Sequence, residues 1–444
     1  MKKALLTICA LLCFLWGTPV SADALSEYEL SQQELICAWA SLGSYNDYVG
    51  SMARTELEDA GWDVQGFNEQ YEGADAKFFI VKNVGFLPGQ EEYLVAITGT
   101  ESKQDISIDL KLNKVLFGGH LPEEFQEAAQ TRNLRANEPM VHGGFHRYTQ
   151  AAFFTQKYQG ETIGEFLAKL LQSDPKKKLY LTGHSLGGAV ASLTAARLIS
   201  MGVLPSQLEV ISFGAPAVGN EAFVEACGKD FPLKRIVVEG DPVESALQTL
   251  RPDYAQFKEK IEWKKDRHIE KMEHSMVIYL DAALRKYYDA KKNLGMDTIV
   301  SRKQREEKMG LMGKVYVAPL VLDTPKDLET DHFYMESTLQ ELWRQRTPSC
   351  VFGDETKIGF AKTIEEAKKN NCQYVAFDAV TVTPLRNKRN EYYVSFTEEI
   401  YDIDGHLQLS LIRSADTSHL TILEALMHDW LGGKAEREKI LLQK

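Results

Sequence analysis

The stretch LYLTGHSLGGAVASLTAARL, residues 179–198, decides the fold class. Its opening residues predict a buried strand, and the alanine- and leucine-rich part that follows predicts a helix from Ala189 to Ser200. Between them lies a Gly-x-Ser-x-Gly motif centred on Ser185. Its small residues permit the tight strand-to-helix turn that exposes a serine hydroxyl above a sheet, where the helix N-terminus favours negative charge. A glycine-rich packing turn is the alternative interpretation.

Strands and helices alternate around this motif. The predicted elements are a helix at 160–172, strands at 178–182, 208–213 and 235–238, and helices at 221–226 and 276–289. This alternation predicts an α/β fold with a mostly parallel sheet and helices on both faces. The predicted upstream elements are a helix at 31–48, two adjoining strands at 77–81 and 93–98, and a candidate lid at 118–139.

The composition is that of a folded, acidic protein. Of 444 residues, 44% are hydrophobic and 26% are charged, and the formal net charge is −12. This length suggests two domains that each bury a core. The negative charge leaves no global positive field for a phosphate backbone, so we expect no nucleic-acid partner.

The first 24 residues have the pattern of a secretory signal peptide. Lys2 and Lys3 precede an apolar run that ends at Gly17, and small residues follow, with cleavage predicted after Ala22 or Ala24. A membrane anchor is the alternative, but the run is shorter than the ~20 residues that a bilayer requires. The dilysine start is typical of bacterial signal peptides, so we predict a secreted or periplasmic protein.

Four cysteines remain after such a cleavage, at positions 37, 227, 350 and 372. An exported chain permits disulfides, and Cys350 with Cys372 is the first pair to consider. Four free thiols are the alternative, since free cysteine is commonly a core residue. The sequence has neither Cys-x-x-Cys spacing nor clustered histidines, so we expect no metal site, and no organic cofactor is implied.

A serine nucleophile requires a base, and the base requires a carboxylate that orients it. In α/β-hydrolases these three residues follow in the order serine, acid, histidine. Asp241 directly follows a predicted strand, at the end where parallel sheets build their sites, although an Asp-Pro turn is the alternative. Downstream, His274 opens a helix-like segment, whereas His268 lies in the highly charged KKDRHIEKMEH. We therefore select His274 as the base.

Several motifs, taken in order, resemble the fungal-type class 3 lipases of the α/β-hydrolase superfamily. Besides GHSLGG at 183–188, they are ITGTESKQDISIDL at 97–110, VHGGF at 141–145, SFGAPAVGN at 212–220, DPV at 241–243 and HSMVIY at 274–279. The resemblance covers about residues 30–285. It implies that Ser185 is the nucleophile, Asp241 the orienting acid and His274 the base. It also implies that the backbone N–H groups of Thr100 and Leu186 form the oxyanion hole.

The rest of the chain predicts a smaller α/β or α+β domain at 312–435, with the pattern β-α-β-α-β-β-β-α. This region is faintly similar to the amino-terminal domain of the envelope protein TolB, and an Asp404-Gly405 pair indicates a hairpin within it. The basic segment 286–311 is interpreted as a solvated linker, with a lipid-headgroup or nucleic-acid patch as the alternative. The predicted organisation is a signal peptide at 1–22, a lipase-like domain at 25–285, this linker and the C-terminal domain, for which no protein partner is indicated.

The residues and the resemblance together imply a serine carboxylic-ester hydrolase that acts on lipid esters, as a lipase or phospholipase, through an acyl-enzyme. The expected partner is a lipid or other ester substrate, with contact at a membrane surface. One alternative is an esterase for a soluble or polysaccharide-linked ester. Another is a non-catalytic binding protein on a hydrolase scaffold, against which the complete triad argues.

Overall fold

A computed structural model describes residues 22–59, 61–82, 84–86, 90–100, 113–266, 274–294, 313–347, 349–354 and 359–442. The predicted signal peptide up to Ser21, His268 and most of the basic linker lie outside the described residues. The described chain forms two large sheets, one of seven strands and one of six.

The strands are β1 (Val64–Tyr71), β2 (Ala74–Lys82), β3 (Glu92–Ile97), β4 (Lys114–Leu116), β5 (Met140–His142), β6 (Lys157–Tyr158), β7 (Glu161–Thr162), β8 (Lys178–His184), β9 (Leu208–Phe213), β10 (Leu233–Val238), β11 (Ile261–Trp263), β12 (Val315–Val317), β13 (Val321–Asp323), β14 (Val351–Phe352), β15 (Tyr374–Pro384), β16 (Tyr392–Asp402) and β17 (Leu407–Asp416). The α-helices are α1 (Ala22–Gly43), α2 (Tyr48–Asp59), α3 (Pro122–Ala129), α4 (Gly143–Thr149), α5 (Ile163–Gln172), α6 (Leu186–Ser200), α7 (Glu221–Cys227), α8 (Ala246–Leu250), α9 (Met276–Asn293), α10 (His332–Arg346), α11 (Phe360–Lys369), α12 (Ile422–Gly432) and α13 (Lys434–Leu441).

The larger sheet has the strand order β1-β2-β3-β8-β9-β10-β11. Strands β1 to β3 pair antiparallel, and all pairs from β3 to β11 are parallel. The central strands β3 and β8 are buried along almost their whole length, as expected for strands covered on both faces. The predicted α/β fold is confirmed, and so is the pairing of the two adjoining upstream strands.

The single helix predicted at 31–48 is instead two helices, α1 and α2. The chain turns between them at Gly43, and the Asp47 side chain accepts a hydrogen bond of 2.7 Å from the N–H of Gly50 in the first turn of α2. An aspartate that accepts from such an N–H starts a new helix rather than continuing the previous one. A side chain on Gly50 would place its Cβ 2.3 Å from the Tyr45 carbonyl oxygen, so this turn requires glycine.

The candidate lid at 118–139 is anchored to the rest of the chain. Strands β4 and β5 pair around it, and Phe125 of α3 is fully buried. The buried Arg197 of α6 donates a 2.9 Å hydrogen bond to the Gly118 carbonyl and lies 4.2 Å from the Phe125 ring. Asn220 donates a further bond of 2.8 Å to the Glu138 carbonyl. These contacts hold the segment against the rest of the fold, and its role as a lid stays a prediction.

The smaller sheet has the order β14-β12-β15-β16-β17, with β13 paired to the far end of β15. The strand predicted at 315–322 is two short strands because Pro319, which cannot donate a ladder hydrogen bond, lies between them. The hairpin at Asp404-Gly405 is confirmed: it joins β16 to β17, and Gly405 has φ +87°. A terminal helix, α13, extends this region beyond the predicted end at residue 435.

Helix α9 corrects the predicted start of the linker. It continues to Asn293, so residues 286–293 are helical rather than part of a solvated connection. Lys286 forms a 2.6 Å hydrogen bond to Glu34 of α1, and Lys291 one of 2.8 Å to Glu341 of α10. These basic side chains therefore connect elements of the fold.

One hydrophobic cluster spans the two sheets, and each sheet also packs against a separate cluster of its own. Buried residues from both regions, among them Trp39, Tyr287, Trp343 and Trp430, belong to a single hydrophobic cluster. Helices α1 and α9 supply this cluster from one side, and α10 and α12 supply it from the other. The boundary predicted near residue 285 is thus a packed interface.

The four cysteines outside the predicted signal peptide, all of them among the described residues, form no disulfide bond. Cys350 precedes β14 and Cys372 precedes β15, and β12 lies between these two strands. Two strand spacings separate them by about 10 Å, beyond the Cα separation that a disulfide spans. The candidate Cys350–Cys372 bridge is therefore not formed in this structure, and the alternative of unbridged thiols applies. Burial raises the pKa of the Cys227 thiol to about 12.

Candidate active site

The carboxyl ends of neighbouring parallel strands bring the predicted site residues to one edge of the larger sheet. Strand β3 leads to Thr100, β8 to Ser185 and β10 to Asp241. His274 lies just before α9. This edge is where open α/β sheets commonly bind their ligands.

Ser185 occupies a sharp turn between β8 and α6. Its backbone has φ 56° and ψ −125°, a conformation that a residue with a side chain adopts only at a cost of about 1–3 kcal/mol. The Ser185 N–H donates a 2.9 Å hydrogen bond to the Phe213 carbonyl of β9. A Cβ at Gly183 would lie 2.4 Å from the Gly187 carbonyl carbon, so the turn closes only with glycine there.

The segment after β3 lies directly against this turn. A Cβ at Gly187 would be 2.2 Å from the Ile97 carbonyl oxygen, and a Cβ at Gly99 would be 2.5 Å from the His184 carbonyl oxygen. Leu186 is the first residue of α6, so its N–H has no acceptor within the helix. Neither this N–H nor that of Thr100 donates to a residue that the structure describes. The N–H of Leu186, next to Ser185, is thus available to an acceptor outside the helix, and Thr100 directly follows the glycine that packs against this turn.

Asp241 and His274 are in direct contact. The His274 Nδ1 atom lies 2.9 Å from Oδ1 and 2.8 Å from Oδ2 of Asp241. The Asp241 side chain has no exposed surface, and the Val243 N–H donates a 2.8 Å hydrogen bond to its Oδ1 atom. Since a carboxylate only accepts, Nδ1 carries the proton and Nε2 is left free to accept one.

Tyr279 is a second partner of the carboxylate that the sequence analysis did not select. Its hydroxyl donates to Oδ2 of Asp241, and burial, followed by the Asp241 charge, raises the pKa of Tyr279. Gly214, with φ +56°, makes room for this group because a Cβ there would be 2.5 Å from the same oxygen. The only sequence signal for Tyr279 is its place in HSMVIY.

His184 packs against the ring of His274. The two ring centroids are 4.5 Å apart, and His184 Nδ1 lies 2.8 Å from the Tyr45 hydroxyl. Burial, and secondly the charge of His274, lowers the pKa of His184 well below its ordinary value, so this ring is neutral at neutral pH. His184 has no predicted catalytic role, and no local pattern of the sequence indicates a partner as distant as Tyr45.

The structure brings the predicted acid and base together more closely than the base and the serine. His274 Nε2 is buried and forms no hydrogen bond to a described residue, Ser185 included. Ser185 nevertheless adjoins His184, whose ring contacts His274. Hydrogen bonds between a nucleophile and its base are often long without substrate, so this arrangement remains compatible with nucleophilic catalysis.

The described residues contain no group of three or more His, Cys, Asp or Glu side chains arranged to hold a metal ion. Within the same residues, no helix is long and apolar enough to cross a membrane.

Comparison with known proteins finds a match for the segment that contains Thr100, Ser185, Leu186 and Asp241, and this match ends before His274. Residues 94–249 match the family model described as Lipase (class 3), which confirms the predicted family for this segment. The match ends before the C-terminal region, and nothing in the comparisons supports the predicted similarity to TolB.

The relatives include a lipase of Caenorhabditis elegans, 46% identical over 67 residues, which are 15% of this chain and 19% of that protein. They also include a putative lipase of Saccharomyces cerevisiae, 27% identical over 30% of this chain and 38% of that protein. Among solved structures, the triacylglyceride lipase of Rhizomucor miehei is 18% identical with a TM-score of 0.38, over 52% of this chain and 80% of that chain. The chain thus spans less than half the length of these two curated relatives.

Proposed function

We propose that this chain, with its class 3 lipase segment, is a serine hydrolase that cleaves carboxylic esters of lipids. The observation that carries the proposal is the direct contact of His274 Nδ1 with the buried Asp241, at the sheet edge where Ser185 occupies a strained strand-to-helix turn. Similarity to lipases supports lipid esters as the substrate class. A lipid substrate is presented at a membrane or droplet surface, so the proposal includes contact with such a surface.

In the proposed mechanism the Ser185 hydroxyl oxygen attacks the ester carbonyl carbon while His274 Nε2 takes its proton. Asp241 holds the opposite ring nitrogen and stabilises the imidazolium that forms. The carbonyl oxygen, now negative, accepts hydrogen bonds from the N–H groups of Leu186 and Thr100, and each such donor is worth about 3 kcal/mol in the transition state.

The intermediate then collapses to an acyl-enzyme. His274 returns its proton to the departing alcohol, and the Ser185 oxygen remains bonded to the acyl carbon. A water molecule, deprotonated by the same histidine, attacks this acyl group and releases the fatty acid. The two steps consume one water and regenerate the serine hydroxyl.

The test is fatty-acid release from triacylglycerol, diacylglycerol, phospholipid and short-chain ester, with Ser185→Ala as the variant. We expect the wild-type chain to be active and Ser185→Ala to lose activity by at least about 1,000-fold. Ser192→Ala is the matched control, because this buried serine lies in the same helix and its hydroxyl donates only to the Gly188 carbonyl. A folded wild-type chain that hydrolyses no ester would contradict the proposal.

The physical state of the preferred substrate, aggregated or dissolved, distinguishes a lipase from an esterase that acts on soluble esters. A lipase hydrolyses emulsified or vesicular ester faster than the same ester in solution, whereas an esterase shows saturation below the solubility limit. A serine-reactive phosphonate tests the non-catalytic alternative, because a scaffold without an activated serine would leave Ser185 unlabelled.

We also propose that the chain is exported, from the lysine-led apolar pattern of residues 1–22. Cleavage after Ala22 or Ala24 would keep Tyr28, the buried residue whose ring contacts Tyr287 of α9. N-terminal sequencing of the protein released by a bacterial host tests this. A cytoplasmic product that retains Met1 would contradict it.

A further inference from the structure

Arg285, on α9, binds three carboxylates at once. Its Nε donates a 2.7 Å hydrogen bond to Asp281, and its Nη2 donates one of 2.8 Å to Asp266. Its Nη1 donates to Asp331. Each of the three guanidinium nitrogens thus has its own acid, and the face of the group lies 4.7 Å from the Tyr334 ring.

The three carboxylates come from three parts of the fold. Asp281 lies one turn earlier on α9. Asp266 lies three residues after β11, the strand that pairs with β10 before Asp241. Asp331 immediately precedes α10 and belongs to the C-terminal region. One side chain therefore joins the lipase-like region, the segment after β11 and the C-terminal region.

These charges are largely removed from water. The exposed fractions of the side chains are 16% for Arg285, 8% for Asp266, 1% for Asp281 and 4% for Asp331. Breaking a buried ion pair leaves an uncompensated charge, which is far more costly than the loss of an exposed pair. The planar fork of an arginine suits three acceptors in fixed directions, whereas a lysine acts as a point charge.

The segment held by this side chain leads to the proposed base. Asp266 lies eight positions before His274, and α9 begins two positions after His274. Arg285 binds Asp266 at the start of this connection, and it also binds Asp281 on α9, the helix that follows the connection. The contact of His274 with Asp241 requires the start of α9 to lie at a fixed distance from the end of β10.

We propose that Arg285 is a positioning residue through which the C-terminal region holds His274 against Asp241. The proposal rests on the proposed function, and it gives the C-terminal region a part in the active site without supplying a catalytic group. Arg285 touches neither the serine nor the acid and base, so its loss acts on the rate of the chemical step rather than on substrate binding. A displacement of about 1 Å in such a group can lower the rate ~100-fold.

The test compares Arg285→Gln, Arg285→Lys and Arg346→Gln in the full chain. Arg346 is the matched control: its side chain is 9% exposed, and it also joins the two regions, through Glu56 of α2, but it lies on α10 and not on the helix that follows His274. We expect Arg285→Gln to lower kcat about 10- to 100-fold with KM within about twofold. Arg285→Lys should restore part of the loss, and Arg346→Gln should leave kcat unchanged.

Phosphonate labelling separates positioning from unfolding. Partial unfolding reduces the fraction of Ser185 that labels, whereas displacement of His274 slows labelling and leaves its final extent complete. We expect slow, complete labelling in Arg285→Gln. Wild-type kinetics in this variant, or equal losses in Arg285→Gln and Arg346→Gln, would overturn the proposal.

Hydrogen exchange tests the positioning role of Arg285 without a measurement of esterase activity. If the wild-type chain has no esterase activity, the proposed function fails, but the positioning contact is still measurable in the peptide 264–280. We expect faster exchange there in Arg285→Gln than in Arg346→Gln. Unchanged exchange in Arg285→Gln would overturn the positioning role by itself.

Discussion

Ser185 is held in a backbone conformation that residues with side chains rarely adopt, and its neighbours explain why the turn is tolerated. The parallel strands β3, β8 and β9 surround it, and Gly187 packs against the Ile97 carbonyl without a side chain between them. Ser185 ends the turn at the same edge of the sheet at which Asp241 and His274 meet. At this scale, function depends on a few atoms placed by buried glycines.

Asp241→Asn should lower kcat by about 10,000-fold without unfolding the protein. An asparagine keeps an oxygen that can accept from the Val243 N–H, but it cannot stabilise an imidazolium and it favours the wrong histidine tautomer. Steady-state kinetics, with circular dichroism to confirm folding, checks this. Asp289→Asn, on the exposed side of α9, is the control. An active Asp241→Asn variant would exclude Asp241 as the orienting acid.

Asp378 is a buried carboxylate whose titration should appear in the pH dependence of stability. It lies opposite Glu398 across β15 and β16 and accepts a 2.7 Å hydrogen bond from Trp343 Nε1. Burial, and secondly the Glu398 charge, raises the pKa of Asp378 to about 8. The unfolded carboxyl titrates near pH ~4, so from there up to pH ~8 only the unfolded chain loses the proton. Stability from this group is therefore present at low pH and is lost as the pH rises.

Asp378→Asn should flatten that dependence. In the wild-type chain this group should reduce the free energy of unfolding by on the order of 1 kcal/mol per pH unit within this window, and the variant should lack that contribution. Urea denaturation at pH 5, 6.5 and 8 measures it. Asp323→Asn, which alters an exposed aspartate on β13, should leave the slope unchanged. Equal slopes in wild type and Asp378→Asn would contradict the prediction.

The start of helix α5 is determined by a local pair of residues, Thr162 and Glu165. Thr162 accepts a hydrogen bond from the Glu165 N–H at 3.2 Å, and Glu165 accepts one from the Thr162 N–H at 2.8 Å. This reciprocal pair satisfies two N–H groups that the helix itself cannot. The predicted start at residue 160 missed it by three residues, because the short β6–β7 hairpin occupies that position.

Thr162→Ala should destabilise the protein by about 1 kcal/mol and leave the specific activity unchanged. Thr162, which caps the N-terminus of α5, is buried, but α5 supplies no residue to the candidate active site. Urea denaturation with an unchanged m-value measures the loss. The exposed Thr55→Ala in α2 should change stability by less than about 0.5 kcal/mol. A similar loss in both variants would show that the cap contributes nothing specific.

At the scale of the whole molecule, one hydrophobic cluster connects the two sheets. The hydrophobic cluster includes Tyr287 and Tyr288 of α9 together with Leu342 and Trp343 of α10. Removal of the C-terminal region would expose the apolar side of α9. Exposed apolar patches of that kind promote aggregation.

A fragment that ends at residue 294 should therefore not fold by itself. We expect it to aggregate or to bind a hydrophobic dye, and we expect the full chain to unfold in a single calorimetric transition. Size-exclusion chromatography and calorimetry test both outcomes. A soluble fragment with wild-type esterase activity would show that the C-terminal region is dispensable, and it would also count against the positioning role of Arg285.

The sequence by itself determined the elements next to Ser185 and the order of the candidate residues. Periodicity predicted β8, β9 and α6, and the Gly-x-Ser-x-Gly turn together with the position of Asp241 after β10 predicted where the site forms. These signals are local or depend only on chain order, so the linear sequence alone contains them.

Only the tertiary structure decided which distant groups meet. It brought His274 to Asp241, added Tyr279 and His184 to the site, and kept Cys350 apart from Cys372. It also placed the candidate lid segment against the rest of the fold and connected the two sheets through one hydrophobic cluster. It placed three carboxylates around Arg285. Each of these contacts joins segments far apart in the chain, and their geometry is set by how helices and sheets pack, which no local pattern of residues encodes.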